Sequence, residues 1–153
     1  MRWYFLRHAK TERVSVSGQD VDRALNERGI KQAHSLQRYV HPIPLQRIVC
    51  SSALRTRQTC SITCAEKPAE RLYLNELYLA DLSEWKVILG TYAKDHTLFI
   101  GHNDGISDLL AWLTDEEFTF PTAGWVTVDF LSKDLQGLGP GTAQRVEYFR
   151  PTD

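Results

Sequence analysis

Short apolar runs alternate along this chain with longer segments of helical periodicity. Between residues 30 and 40, Ile30, Ala33 and Leu36 recur every three or four positions, which is the spacing of one helix face. Similar spacing predicts helices over residues 83–93 and 105–113. The runs between these segments are rich in β-branched and aromatic residues and predict strands. These strands are expected at residues 3–7, 47–50, 97–101, 125–131 and 145–149.

The alternation of strands and helices predicts the fold class. Strand–helix–strand order favours a three-layer α/β/α sandwich, with a mainly parallel central sheet and helices on both faces. The glycine-rich segment 137–141 predicts a turn that joins the last two strands as an antiparallel pair. Residues 14–19 are expected to form a loop after the first strand. The chain contains no repeat, linker or low-complexity tract, so we predict a single domain over residues 1–153.

Composition narrows the choice of partners and compartment. The 153 residues are 42% hydrophobic and 24% charged, as in ordinary globular proteins. Lys and Arg total 18 against 19 Asp and Glu, and this balance argues against a nucleic-acid partner. No apolar run approaches the roughly 20 residues that span a bilayer, so no membrane partner is expected. Three cysteines, an odd number, favour a reducing, cytoplasmic compartment.

Basic and imidazole side chains follow three of the predicted strands. The first strand ends in Arg7 and His8, the second is followed by Arg55, and a later one is followed by His102. In an open α/β sheet, ligands bind beyond the carboxyl ends of the strands. We therefore expect these two histidines and two arginines to meet at one edge of the sheet, although a single histidine at a strand end is usually structural.

Such a cluster suits phosphoryl transfer. The planar guanidinium group of arginine matches the oxygens of a phosphate. A neutral imidazole can attack phosphorus in line and carry the phosphoryl group covalently. Arginines and a second imidazole can stabilise the charge on the equatorial oxygens of the transition state. Ser51 or Ser52 is also placed to cap the following helix, whose first amides would then face an anion.

Other phosphate and metal chemistries fit the sequence less well. A cysteine-dependent phosphatase needs a cysteine and an arginine at the spacing of one phosphate-wrapping loop, and neither Cys50 to Arg55 nor Cys50 to Arg57 has that spacing. Cys60 and Cys64 fall on a predicted helix without a second ligand pair, so no metal is expected. Neither a glycine-rich phosphate loop with a lysine nor a Gly-x-Ser-x-Gly motif is present.

Three segments in order resemble the histidine phosphatase superfamily, which includes the cofactor-dependent phosphoglycerate mutases. Residues 6–12, Leu-Arg-His-Ala-Lys-Thr-Glu, resemble its Arg-His-Gly/Ala signature, and residues 51–59 its Ser-x-x-x-Arg-x-x-Gln-Thr element. Residues 99–103 resemble the late Gly-His segment. The resemblance runs from about residue 2 to 131. The short chain points to the SixA-like phosphohistidine phosphatases, as do the segments 22–29, 77–80 and 121–123.

The resemblance implies a phosphoglycerate mutase-like fold without the large helical insertion, and no cofactor. It implies that Arg7 binds phosphate and that His8 is the nucleophile that becomes phosphorylated. Arg55 would be the second phosphate clamp, and His102 the second imidazole that contacts the transferred group. Arg23, in an Asp-Arg-x-Leu element, would add a further phosphate-binding cation.

The resemblance leaves the general acid and the substrate open. Glu76 stands where mutase-like members carry a proton-donating glutamate, with solvent as the alternative donor. Without the insertion we expect an open pocket that suits phosphohistidine on another protein. The expected function is thus a metal-independent phosphatase that acts through a phosphohistidine intermediate on His8. The alternatives are a broad phosphomonoesterase for small phosphate esters and a non-catalytic phosphate-binding regulatory module.

Overall fold

The computed structural model describes residues 1–152, in which six strands form one sheet. The strands are β1 (Arg2–Arg7), β2 (Arg47–Ser51), β3 (Glu70–Leu74), β4 (Thr97–Gly101), β5 (Trp125–Phe130) and β6 (Ala143–Phe149). The helices are α1 (Glu27–Val40), α2 (Leu54–Thr63), α3 (Leu82–Tyr92) and α4 (Gly105–Thr114). Three short 3₁₀ helices lie at Asp20–Asp22, Asn75–Leu77 and Leu135–Gly137.

The strand order β3-β2-β4-β1-β5-β6 brings three carboxyl ends together. Strands β3, β2, β4 and β1 run parallel to one another. At the other edge, β5 runs antiparallel to β1, and β6 runs antiparallel to β5. Arg7 at the end of β1 is in register with Gly101 at the end of β4, and Cys50 on β2 pairs with Ile100. The segments that follow β1, β2 and β4 therefore leave the sheet side by side, as predicted.

Alternating side chains of β1 show why helices cover both faces of the sheet. Trp3 and Phe5 pack into one buried core with residues of α3 and α4, such as Leu89 and Leu109. Tyr4 and Leu6 point the other way and belong to a second core with residues of α1 and α2. Because side chains alternate along a strand, a strand that is apolar on both faces requires a layer on each side. The predicted α/β sandwich is confirmed.

Two features of the fold differ from the sequence-based expectations. The expectation that Ser51 or Ser52 caps α2 is wrong, because the residue at the cap position is Ala53 and no side chain caps the helix there. Strand β3 was not among the predicted strands. It is an edge strand whose side chains are only half-buried or exposed, so it lacks the fully apolar pattern of its neighbours.

Several expectations concern the surroundings of the chain. Cys50, Cys60 and Cys64 are free thiols and are buried. No helix within residues 1–152 is long and apolar enough to cross a bilayer. The cytoplasmic location and the single domain over residues 1–153 stay predictions.

Candidate active site

The side chains predicted from three strand ends line one cleft of about 830 Å³, here called the His8 cleft. Arg7 is the last residue of β1 and His8 follows it, Arg55 lies in the first turn of α2, and His102 follows β4. The ring centroids of His8 and His102 are 5.3 Å apart, with the ring planes tilted by 55°. Arg23, which follows the first 3₁₀ helix, also lines the cleft.

His8 is held as a neutral imidazole with a defined tautomer. Its Nδ1 lies 2.8 Å from the carbonyl oxygen of Ala9. A carbonyl can only accept, so Nδ1 carries the proton, and the lone pair of the neutral ring is on Nε2. Burial, together with the nearby charges of Arg55 and Arg7, lowers the pKa of His8 to about 3, although the hydrogen bond to Ala9 opposes this shift. At neutral pH the ring therefore has the form that can act as a nucleophile.

The backbone around His8 fixes the position of the ring. The N–H of His8 donates to the carbonyl of Gly101 at 3.3 Å, which ties the end of β1 to the end of β4. The N–H of Ala123 donates to the carbonyls of both Arg7 and His8, at 3.2 and 3.0 Å. Ala123 has a φ of 61°, a left-handed conformation that non-glycine residues adopt rarely. His8 is thus clamped between β4 and the segment that leads into β5.

His102 presents one buried ring nitrogen that has no partner among residues 1–152. Its Nε2 lies 2.8 Å from the hydroxyl of Ser51, and its Nδ1 is the unpartnered atom. The Ser51 hydroxyl also accepts from the N–H of Ala53 at 3.3 Å, so its own proton is available for Nε2 of His102. In that arrangement Nδ1 carries a hydrogen that can be donated to an anion. Burial, followed by the proximity of His8 and Arg55, lowers the pKa of His102 to about 3.

Arg7 and Arg55 each donate hydrogen bonds from the Nη atoms of the guanidinium group, but the Nε of each lacks an acceptor within residues 1–152. Nη1 of Arg7 donates to the carbonyl of Phe120 at 2.8 Å. Arg55, whose side chain is 2% exposed, donates from Nη1 to the Asp20 carbonyl and from Nη2 to its carboxylate, at 2.8 and 3.0 Å. The Nε atoms of both arginines are buried without a partner in the described structure. Buried donors are nearly always paired. Because these two also belong to cationic side chains that line the His8 cleft, they indicate an anion site there.

Asp20 links the cations of the cleft. Its carboxylate accepts from Arg55 and, at 2.8 Å, from Nε of Arg23, while the Tyr78 hydroxyl donates to it at 2.5 Å. The Tyr78 hydrogen bond, followed by those from Arg23 and Arg55, lowers the pKa of Asp20 to about 2. Arg23 is further fixed by donating from Nη1 to the Thr11 hydroxyl at 3.0 Å. The arginines are therefore oriented before any substrate binds.

Two polar residues of α2 hold the loops around the cleft. Oε1 of Gln58 accepts from the N–H of Leu25 at 2.7 Å, near Arg23. The hydroxyl of Thr59 accepts from the N–H of Ala9 at 3.1 Å, directly after His8. The Gln-Thr pair that closes the second sequence motif thus ties α2 to the segments that carry the histidine and the arginine.

The structure does not bring Glu76 into the cleft. Glu76 is exposed in the second 3₁₀ helix and is not among the residues that line the His8 cleft. The sequence analysis missed Asp20 and the contact between Ser51 and His102. The spacing of Asp20 three residues before Arg23, which is typical of a local acid–base pair, could have indicated the first. Within residues 1–152, no group of three or more His, Cys, Asp or Glu side chains is arranged to hold a metal ion.

Solved structures of similar shape share the whole fold. A candidate phosphohistidine phosphatase SixA from Nakamurella multipartitia superposes with a TM-score of 0.84 at 23% identity, over 99% of this chain and 96% of that one. The protein histidine phosphatase SixA complexed with tungstate gives a TM-score of 0.81 at 19% identity, over 98% and 97% of the two chains. At this level of identity the likeness establishes the fold, and the expected SixA-like architecture is confirmed.

Sequence comparison connects the chain to curated relatives and to a family. The adenosylcobalamin/alpha-ribazole phosphatase of Salmonella typhimurium is 31% identical over 127 residues, which are 81% of this chain and 58% of that protein. The chain thus spans less than two thirds of the length of this relative. A family model of the histidine phosphatase superfamily (branch 1) matches residues 3–97, the part that carries Arg7, His8 and Arg55. The motifs, the fold and this match agree, and the chain belongs to the histidine phosphatase superfamily, branch 1.

Proposed function

We propose that this protein is a phosphatase that transfers a phosphoryl group to His8 and then to water, and that its substrate is phosphohistidine in another protein. The observation that carries the proposal is the set of unpartnered buried nitrogens on Arg7, Arg55 and His102 around a neutral His8. Unpartnered cationic donors favour an anionic ligand, and the adjacent nucleophile favours covalent transfer over simple binding.

The first step forms a bond between Nε2 of His8 and phosphorus while the bond from phosphorus to the leaving atom of the substrate breaks. The leaving nitrogen or oxygen takes a proton from water. Nδ1 keeps its hydrogen bond to Ala9, so the phosphorylated ring is a cation and a good leaving group. Water then attacks phosphorus, the bond to Nε2 breaks, and inorganic phosphate and one proton are released. The second step returns the proton that the first step consumed.

The arginine side chains stabilise the negative charge of the phosphoryl group during its transfer. Arg7 and Arg55 retain unused N–H groups next to His8, and both are held by anchors outside the substrate position. His102 adds a neutral donor, because its pKa of about 3 keeps it uncharged at neutral pH. Donors fixed in advance stabilise a phosphoryl transition state without reorganising during the reaction. Arg23 supplies a further cation on the outer side of Asp20.

Solvent is the proton donor that the geometry favours. Glu76 is exposed and absent from the cleft lining, whereas the cleft itself is open to water. A leaving imidazole is basic enough to take a proton from water. Replacement of Glu76 by glutamine should therefore leave turnover of a phosphoramidate within about twofold of the parent enzyme.

The open cleft supports a protein substrate. Only residues 75–81 lie between β3 and α3, so no inserted helices cover this side of the cleft. A phosphorylated side chain on a protein surface can reach His8 without a lid having to open. The likeness to structures of SixA phosphatases supports the same substrate class.

A second candidate function rests on the curated relatives. The 31% identity to the adenosylcobalamin/alpha-ribazole phosphatase favours a small phosphate ester as substrate. The two candidates share the mechanism and differ in what surrounds the phosphoryl group.

A substrate panel tests the proposal. The purified chain, with a metal chelator present, is assayed at neutral pH on a phosphohistidine peptide, phosphoramidate, para-nitrophenyl phosphate and a ribose 5-phosphate ester. We expect the highest kcat/KM on the phosphohistidine peptide. His8→Ala should lower it at least about a thousandfold and abolish acid-labile labelling of the protein, whereas the exposed His34→Ala on α1 should retain both.

Each other outcome has a defined meaning. A clear preference for the ribose ester would favour the second candidate function. Phosphate binding without hydrolysis of any compound would mean a non-catalytic module and would contradict both. Loss of activity with the chelator would contradict the metal-independent mechanism.

A further inference from the structure

Exposed apolar side chains lie on two segments at the His8 cleft, the loop after β1 and the segment before α3. Val14 and Leu79 line the cleft and are 78% and 54% exposed, and Val16 is fully exposed two residues further along the same loop. We call these three residues the apolar rim. The described structure exposes eight large apolar side chains in all, and two of them line this cleft while a third, Val16, lies on the same loop as Val14. Clustered exposed apolar residues beside a site are typical of a binding surface.

The loop that carries the two valines is held by its own hydrogen bonds. The hydroxyl of Ser15 donates to the carbonyl of Gln19 at 2.6 Å, and that of Ser17 donates to the carboxylate of Asp22 at 2.6 Å. The serines alternate with Val14 and Val16 along the chain. The loop is therefore an ordered structure that uses its polar side chains internally and displays its apolar ones.

The segment that carries Leu79 is also held in place. Leu79 has a φ of 52°, a left-handed conformation that is unfavourable for a leucine. Its neighbour Tyr78 is anchored to Asp20 through the hydroxyl, and Ala80 is buried. Strained backbone of this kind concentrates at functional sites.

The charged residues around the apolar rim indicate the charge of the partner. The cleft is lined by five cations and two carboxylates, in a chain whose formal net charge is −1. Two of the cations, Lys10 and Arg13, are exposed, so they remain available to a ligand that approaches from outside. A local positive surface on a nearly neutral protein favours an acidic ligand.

We propose that the apolar rim of Val14, Val16 and Leu79, with Lys10 and Arg13, is the docking surface for the chain segment that flanks the phosphorylated side chain of a protein substrate, and that this segment is apolar and acidic. The inference rests on the proposed function and specifies its substrate. Val16 is not among the residues that line the cleft, so a ligand that reaches from His8 to Val16 must extend over the outer surface. A small ester held in the cleft would not touch it.

Binding of matched peptides tests the proposal without relying on turnover. The probe is an 11-residue peptide with a central non-hydrolysable phosphotriazole analogue of phosphohistidine, flanked by leucines and glutamates. Two reference peptides carry serine in place of leucine or lysine in place of glutamate. Dissociation constants are measured by calorimetry with the whole chain. We expect the leucine–glutamate peptide to bind at least tenfold more tightly than either reference.

Enzyme variants show whether the rim causes the preference. In Val16→Ser the advantage of leucine over serine should fall by about fivefold to tenfold, since burial of a valine side chain is lost. Val87→Ser is the matched control, because Val87 is 68% exposed on α3 and lies outside the cleft lining. It should retain the full advantage.

Three results would overturn the proposal: equal binding of the three peptides, an unchanged leucine advantage in Val16→Ser, or tighter binding of a phosphorylated nucleoside than of any peptide. Hydrolysis of the corresponding phosphohistidine peptide is followed in parallel. If the peptide preference holds but phosphohistidine is not hydrolysed, the proposed reaction is wrong and the docking surface stands. If hydrolysis occurs without a preference, the docking surface is wrong and the proposed function stands.

Discussion

The two buried imidazoles of the His8 cleft should make the protein markedly less stable in mild acid. His8 is 6% exposed and His102 is 2% exposed, and the pKa of each is lowered from 6.5 to about 3. In the unfolded chain both rings take up a proton near pH 6.5. Because the folded state binds these protons only near pH 3, acid favours unfolding between these two values. The stabilising contribution is complete above pH 6.5 and is lost as the pH falls toward 3.

The magnitude follows from the linkage relation. Each proton bound only by the unfolded chain changes the free energy of unfolding by about 1.4 kcal/mol per pH unit. Between pH 6.5 and pH 5.0, one histidine with a folded pKa of about 3 therefore costs roughly 2 kcal/mol. With both His8 and His102, the loss between pH 7.5 and 5.0 should be about 4 kcal/mol, a large part of the stability of a domain of this size.

Urea denaturation at a series of pH values measures this loss. Buffers must be free of phosphate, which would bind the cleft. Between pH 7.5 and 5.0 the free energy of unfolding of His8→Gln should fall by about 2 kcal/mol less than that of the parent. The reason is that the unfolded variant has one histidine fewer to take up a proton. The control is His34→Gln, which removes an exposed imidazole from α1. If His8→Gln and His34→Gln show the same pH dependence, His8 is not held neutral by burial and the reasoning is wrong.

Three further substitutions test how the cleft is supported. Gly29→Ala places a Cβ 1.9 Å from the carbonyl oxygen of Lys10, so it should lower the free energy of unfolding, measured in urea, by at least about 2 kcal/mol. The control is Gly90→Ala on α3, whose Cβ meets nothing closer than 3.9 Å and should not destabilise the protein. Gln58→Ala leaves the buried N–H of Leu25 without its acceptor and should cost about 1–3 kcal/mol by the same measurement. Asp20→Asn removes the negative charge that pairs with Arg23 and Arg55, so the cleft should bind tungstate, a phosphate-like anion, several times more tightly. Calorimetry measures this affinity, and weaker binding would contradict the reasoning.

The parts of the fold that the sequence predicts are those with strong local patterns. Strands β1 and β4 are buried on both faces and read as continuous apolar runs, and α1 shows regular helical spacing. Once the strands are parallel, the residues after each strand must leave at the same edge. The proximity of His8 and His102 was therefore predictable, because it depends on topology and on no specific contact.

The remaining features depend on tertiary contacts that the sequence pattern does not encode. Ser51 is the last residue of β2, one residue beyond the predicted strand, and its side chain contacts His102, which follows β4 and lies 51 positions later in the chain. Asp20 lies in a segment without apolar periodicity, and its spacing three residues before Arg23 is the one sequence signal that could have indicated its role. The alternation of valine and serine at residues 14–17 does not show that the serines bond to Gln19 and Asp22 and so order the loop. Motif matching could not place Glu76, because its exposure depends on the packing of the short 3₁₀ helix after β3.

The unsatisfied groups of the cleft connect stability to function. Each buried polar donor without a partner costs roughly 1–3 kcal/mol, and the described structure leaves such atoms on Arg7, Arg55 and His102 around the same ring. The protein tolerates this cost because the rest of each side chain is anchored, by Phe120, by Asp20 and by Ser51. These hydrogen bonds fix the orientation of the three side chains, so the unpaired donors cannot rotate to find another acceptor. If a bound phosphoryl group pairs with these donors, as the proposed function requires, the energy withheld from folding becomes available for binding the anion and its transition state.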